Sequence, residues 1–216
     1  MEKFIVIEGL EGAGKSTVIK EVSQYFDKCL SNSHIVTREP GGTTIAEDIR
    51  SLLIRKYDHE VLYPDAELLL MYASRLQHYH HLIYPKLMNG DWVISDRFNW
   101  SSMAYQGGGR KIDLQQILSL DRLFLSMCQP GLIIYLDINP ELGLNRIQSR
   151  LKLDRFEEEE LSFFKGVRSV YLKLCKLNTN AFLIDASQEK HKVIENVLKV
   201  ISNYANRVKI NKKIVD

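Results

Sequence analysis

Residues 3–17 read Lys3-Phe4-Ile5-Val6-Ile7-Glu8-Gly9-Leu10-Glu11-Gly12-Ala13-Gly14-Lys15-Ser16-Thr17. The apolar, β-branched opening predicts a buried parallel strand, and residues 17–26 predict a helix. Between them, Gly9 to Ser16 satisfies G-x-x-x-x-G-K-[ST], the phosphate-binding P-loop. Glycines let the backbone curl so that several N–H groups converge on phosphate oxygens, where a side chain would block the approach. The following helix points its positive N-terminus at the same anion. Lys15 then reaches the β- and γ-phosphates and the Ser16 hydroxyl ligates Mg²⁺. Gly9, Leu10, Glu11, Gly12, Ala13, Gly14, Lys15, Ser16 and Thr17 form the ATP-side cradle. A glycine-rich turn with a surface lysine would need neither the strand before it nor the helix after it.

Working outward, the 216 residues are 45% hydrophobic and 26% charged, enough to bury one good core with a small lid. A net charge of +2 gives no electrostatic case for nucleic acid as a partner. Lys209, Lys212 and Lys213 cluster late, so residues 209–216 read as a solvated, partly disordered tail. Cys29, Cys128 and Cys175 are widely spaced and suggest reduced thiols in a cytoplasmic protein rather than disulfides or a metal site. His78, His80 and His81 do not fall on one helical face as a ligand set would. No run approaches transmembrane length and no signal-peptide pattern opens the chain, so no membrane partner is expected.

Further along, residues 33–38 predict a second strand, broken by Glu39-Pro40-Gly41-Gly42-Thr43. Apolar spacing predicts helices over 44–55 and 64–87, the second opened by Pro64-Asp65 and stopped by Asn89-Gly90. A third strand, 92–95, runs into Asp96-Arg97. Residues 98–105 read as helical, ended by Gln106-Gly107-Gly108-Gly109-Arg110. Asp113 caps a helix to Met127. Strands follow at 131–137 and 181–185, with helices from Pro140 to about Arg150, on to about Leu177, and over 188–208. Such alternation predicts an α/β fold: a five-stranded parallel sheet, helices on both faces, and ligands at the strands' C-terminal edge. Residues 1–216 read as one domain. The predicted edge gathers residues 8–16, Arg38-Glu39-Pro40, Asp96-Arg97 and Asp137.

Three features besides the P-loop carry chemistry. Asp96 at a strand end can orient Mg²⁺ through its water shell, and Arg97 can grip a phosphate; alone, the pair could equally be a helix cap with a surface arginine. Arg38 brings a second guanidinium to the same cleft. Arg146, Arg150, Lys152 and Arg155, around Glu157 to Glu160, form either a solvated face or a short lid, about 146–158, that brings arginines onto the transferring phosphoryl group. Phosphoryl transfer needs in-line positioning and cations on oxygens that stay negative. No strong general base is evident, and a phosphate acceptor requires none. The reading is a P-loop kinase fold acting on a nucleoside monophosphate, with Lys15, Asp96, Arg97 and Arg150 at its catalytic centre.

Over nearly its whole length the chain resembles the thymidylate kinase family. The matching pieces are F-I-V-I-E-G-L-E-G-A-G-K-S-T, T-R-E-P-G-G-T, A-E-L-L-L-M-Y-A-S-R-L-Q-H, D-R-F-N-W-S-S-M-A-Y-Q-G-G-G-R, L-D-I-N-P-E-L-G-L-N-R and L-D-R-F-E. Gly12 stands where some members have Arg, and Arg150 and Arg155 sit in the lid, the pattern of the bacterial subgroup in which lid arginines replace the loop arginine. The resemblance implies dTMP as acceptor, ATP with Mg²⁺ as donor, and a homodimer. It implies that Glu11 holds the sugar 3′-OH, that Arg38 and Arg97 bind the dTMP phosphate, and that Arg75 donates to thymine O4. Ser102 and Gln106 would lie near the base, and Tyr105 would fill the space of a ribose 2′-OH. Three residues depart from the family's habit: Met71 for a stacking Phe, Phe98 for Tyr or His, and Gln148 for a further lid Arg.

The competing class is a P-loop switch that works by binding partners. A GTPase needs N-K-x-D, and the near match Asn211-Lys212-Lys213-Ile214 lacks the Asp. A partitioning ATPase needs an additional lysine early in its P-loop, and this loop has none. A kinase for another small acceptor is the third alternative.

Overall fold

The computed structural model describes residues 1–30, 33–147 and 154–215. Its sheet has five parallel strands: β1 (Phe4–Gly9), β2 (His34–Arg38), β3 (Trp92–Asp96), β4 (Leu132–Asp137) and β5 (Ala181–Asp185), in the order β2-β3-β1-β4-β5. Every residue of β1 is buried, and β3 and β4 are buried up to their last residue. A strand without a polar face needs helices on both sides, which is why these runs read as continuous apolar sequence. Register sets Ile7 and Arg38 on either side of Asp96, and Gly9 beside Leu136. The connection after β1 runs to β2 on one side and the connection after β3 crosses to β4 on the other, so the crevice beyond the C-terminal ends of β1 and β3 is the expected ligand position.

The helices are α1 (Lys15–Tyr25), α2 (Thr44–Ile54), α3 (Pro64–His78), α4 (Tyr84–Met88), α5 (Asn99–Ser102), α6 (Leu114–Phe124), α7 (Pro140–Ile147), α8 (Leu161–Leu177) and α9 (Lys190–Val215). The Thr43 hydroxyl accepts from Ala46 N to cap α2, and Asp113 accepts from Gln115 N to cap α6 as expected. The helix expected over 64–87 is α3, a wider π-helical turn over Tyr79–Ile83, and α4. Pro85 has no N–H and crowds the turn before it, and the wider turn absorbs that.

The larger correction concerns Gln106-Gly107-Gly108-Gly109-Arg110. These residues were expected to end a helix; instead Met103–Gly109 continues α5 as a π-helical stretch. Its glycines serve a close approach. A Cβ on Gly108 would lie 2.6 Å from the carbonyl of Gly166 in α8, and one on Gly109 would enter the Phe163 ring. α8 therefore lies directly on this stretch and fixes where Tyr105 and Gln106 point. The last helix also runs on past 208 to Val215, into the stretch read as a solvated tail.

Candidate active site

A cavity of 440 Å³ opens beyond the C-terminal ends of β1, β2 and β3. Gly12 and Gly14 adopt left-handed φ of 74° and 90° there, as a loop curling around an anion requires. Gly12, Gly14, Lys15, Ser16 and Thr17 line the cavity with Glu11, whereas Gly9, Leu10 and Ala13 do not. Lys15 Nζ donates to Gly9 O at 3.0 Å and Leu10 O at 3.2 Å, which holds the ammonium inside the loop. Burial and the nearby Arg97 lower the Lys15 pKa, against the pull of Asp96, Glu11 and Glu8. The loop cannot take an Arg at position 12 as it stands, because any Cβ there collides with the Gly143 carbonyl of α7.

Arg97 follows β3 in a left-handed conformation, φ 72°, costly for a residue with a side chain and typical of sites where direction matters. Its guanidinium donates to Glu11 Oε1 at 2.7 Å, Tyr105 Oη at 3.0 Å, Ser101 Oγ at 3.3 Å and Tyr171 Oη at 3.4 Å. Tyr105 in turn donates to Glu11 Oε2 at 2.6 Å. Burial alone would raise the Glu11 pKa, but Arg97 and Lys15 outweigh it and hold the carboxyl below its usual range. Arg38 lines the cavity, and its Nη2 donates to both oxygens of Glu47 at 2.8 and 3.0 Å.

Asp96 lines the same cavity, and its Oδ1 is buried without a hydrogen-bond partner. Ser16 lines the same cavity, and an unpaired carboxylate oxygen there fits a water-shelled Mg²⁺, which keeps most of its waters and needs few protein ligands. Among the described residues no cluster of three His, Cys, Asp or Glu forms a dedicated metal cage.

At the far end lie Met71, Arg75, Ser102 and Gln106. Arg75 is 2% exposed and donates through Nε to Glu39 Oε2 at 2.7 Å, through Nη1 to Ser102 Oγ at 2.9 Å and through Nη2 to Phe98 O at 3.1 Å. Phe98 is fully buried under that guanidinium and edge-on to Phe4, so an aromatic ring without a polar group suits its position. Met71 is half-buried against the core at the cavity wall. Tyr72, by contrast, is turned away, its hydroxyl held by Asp121.

Arg146 is brought to the P-loop: its Nη1 donates to Gly12 O at 3.2 Å and Ala186 O at 3.1 Å. Arg155, expected over the donor, does not line the cavity. Its Nη1 pairs with the buried carboxylate of Glu67 at 2.7 Å and its Nε donates to Leu53 O at 3.0 Å. In this structure a buried acidic partner on α3 holds Arg155. Arg150 and Gln148 lie outside the described residues.

Other residues escaped the sequence reading. Arg50 lines the cavity and donates to Pro40 O; burial and the nearby Arg38 hold its pKa below the ordinary arginine value. Its apolar helical setting gave no signal beyond charge. Glu8 is fully buried, accepting from Phe98 N, Ser101 Oγ and Tyr171 Oη at 2.7–2.9 Å, and burial raises its pKa. A carboxylate inside an apolar strand was the available hint. Thr37, His78 and Glu39 form a buried chain behind Arg75, with Oγ1 to Nε2 at 2.6 Å and Nδ1 to Oε1 at 3.2 Å. Only folding brings those three together.

The family model described as Thymidylate kinase matches residues 7–197. Among curated proteins the chain is similar to the thymidylate kinase of Francisella philomiragia subsp. philomiragia, 48% identical over 204 residues, which cover 94% of this chain and 100% of that one. It is also similar to the thymidylate kinase of Francisella tularensis subsp. novicida, 50% identical over 205 residues, covering 94% of this chain and 97% of that one.

Proposed function

We infer how the site works from one premise: the chain belongs to the thymidylate kinase family and phosphorylates dTMP to dTDP with ATP, a step of dTTP synthesis. The proposed arrangement sets the two nucleotides end to end in the cavity. ATP phosphates lie in the P-loop under Lys15, with Arg146 bracing the loop from α7. The dTMP phosphate meets Arg97 and Arg38, with Arg50 as a third cation. Its sugar 3′-OH reaches Glu11, Tyr105 blocks a 2′-OH, and the base lies between Met71, Arg75, Ser102 and Gln106. Ser16, and Asp96 through water, would hold the ATP-bound Mg²⁺, and when bound that ion would neutralise donor phosphate oxygens.

A dTMP phosphate oxygen attacks the γ-phosphorus as the bond to the β–γ bridging oxygen breaks, and ADP leaves with those electrons. The acceptor oxygen is already ionised, so the protein supplies position and positive charge rather than a base. Arg150, from the lid, is proposed as the arginine that meets charge in the transition state. The observation that carries this reading is the Arg97–Glu11–Tyr105 knot beside Lys15: acceptor-side and donor-side cations share one small cavity.

A coupled assay with ATP and dTMP, dUMP, dCMP, dAMP and dGMP tests it. dTMP should be preferred far above dCMP; equal turnover of dCMP would overturn the base placement. We also propose a cytoplasmic homodimer. Support comes from three free thiols and from exposed Leu69, Leu123, Phe124 and Met127 on and just after α3 and α6. Sedimentation equilibrium at micromolar protein decides between one chain and two.

A further inference from the structure

Gln106 reaches the cavity from the Met103–Gly109 stretch, and the orientation of its amide is decided from behind, by Glu67 in the first turn of α3. Glu67 is completely buried, yet three side chains converge on it. Gln106 Nε2 donates to Oε1 at 2.7 Å, Arg110 Nε donates to both oxygens at 3.2 and 3.3 Å, and Arg155 Nη1 lies 2.7 Å from Oε2. A carboxylate paired with two guanidinium groups accepts hydrogen bonds and donates none. Facing it, the Gln106 amide has one tolerable orientation, with NH₂ toward Glu67. The reverse sets oxygen against oxygen in a buried site. The carbonyl oxygen is then what Gln106 offers to the cavity.

Arg75 is fixed in the same way by Glu39 and can only donate. Ser102, which accepts from Arg75, ends α5 four residues before Gln106. The base end of the cavity therefore presents a donor next to an acceptor. That pattern matches a base with a carbonyl beside a ring N–H, as in thymine or uracil. Cytosine carries the reverse, an amino group beside an unprotonated ring nitrogen.

We propose that Glu67 is a specificity-positioning residue: by pinning the Gln106 amide it sets the hydrogen-bond polarity of the nucleobase site and excludes cytosine. This rests on the reading that the base lies between Arg75 and Gln106. Glu67 touches no substrate, so its effect falls on which nucleotide is chosen rather than on the transfer itself.

The experiment is kcat/KM for dTMP and dCMP in the wild type, Glu67→Gln and Arg110→Leu. An amide at 67 can donate as well as accept, which frees Gln106 to turn its NH₂ toward cytosine N3. The dTMP-over-dCMP ratio is expected to fall about tenfold or more in Glu67→Gln, mainly through KM. Arg110→Leu loosens the same cluster without touching the Gln106–Glu67 bond and should keep the wild-type ratio even where the protein is less stable. If Glu67→Gln alone does not fold, the double variant with Arg110→Leu removes one of the two guanidinium groups that the Glu67 carboxylate neutralised and gives the same comparison. An unchanged ratio in Glu67→Gln overturns the proposal. So does an equal fall in Arg110→Leu, which would make loose packing the cause. A wild type indifferent between the two nucleotides would instead overturn the placement of the base, and this inference with it.

Discussion

Arg97 is the residue on which most of the site's charge converges. It meets Glu11, Ser101, Tyr105 and Tyr171 at once, from a backbone conformation that side chains rarely adopt. Losing a charge-assisted contact to the acceptor phosphate should cost about 2–4 kcal/mol in kcat/KM for dTMP in Arg97→Ala, with ATP binding retained. Near-normal turnover at low dTMP would refute the assignment. Met71 poses a subtler question. An aromatic face under a base contributes about 1–3 kcal/mol, and a thioether gives part of that. Met71→Phe should therefore lower KM for dTMP several-fold and leave the dTMP/dCMP ratio nearly unchanged. A raised KM would show that α3 repacks around the larger ring. Tyr72 is not available for the stacking role, since its hydroxyl is committed to Asp121 on α6. Legibility at this scale followed a simple line. Arg38, Asp96 and Arg97 could be read because strand ends announce themselves in sequence. Glu39, His78 and Glu67 could not, because each matters through a partner that only the fold supplies.

At the scale of elements, the apolar runs were readable and the glycines were not. β5 falls on the expected residues, and β2, β3 and β4 each differ by one residue at an end; the buried strands β3 and β4 write their burial directly into composition, while the edge strand β5 is largely exposed. Gly107-Gly108-Gly109 looks identical in sequence whether glycine is used to end a helix or to let another helix approach. The second use is the one found, and it has a consequence. Gly108→Ala drives a methyl into the Gly166 carbonyl, a backbone atom that cannot swing aside. Overpacking of this kind costs about 1–3 kcal/mol. Because Tyr105 and Gln106 share the stretch, kcat/KM for dTMP should fall together with the urea midpoint. A substitution with wild-type stability and activity would mean that α8 shifts freely, and that the stretch does not depend on it for position. The same logic explains why Arg cannot simply be moved into position 12. Gly143 of α7 occupies the direction its side chain would take, so a loop arginine requires α7 to stand elsewhere.

Across the whole molecule, no single segment can hold the site. Glu11 follows β1, Arg38 ends β2, Arg75 sits on α3, Arg97 follows β3 and Arg146 sits on α7. Tyr171 of α8 reaches back 2.8 Å to Glu8 in the central strand, and Arg168 of the same helix clamps Asp137 at the end of β4 through Nε and Nη2, both at 2.8 Å. Sheet, P-loop and the cavity wall around Arg75 and Gln106 thus hold one another, and unfolding any one of them dismantles the cavity. Ligand binding should then stabilise the entire fold rather than a local part of it. A ligand at a hundredfold its Kd adds about 2.7 kcal/mol. For a chain of this length that raises Tm by about 5–10 °C. We expect one calorimetric transition that moves as a unit when dTMP is added, and moves again with ATP and Mg²⁺. In Arg97→Ala the dTMP shift should vanish while the ATP shift persists, since the P-loop keeps its own backbone donors. Two resolved transitions, with dTMP moving only one, would mean that the base end and the phosphate loop unfold separately, and the single cooperative unit would have to be abandoned.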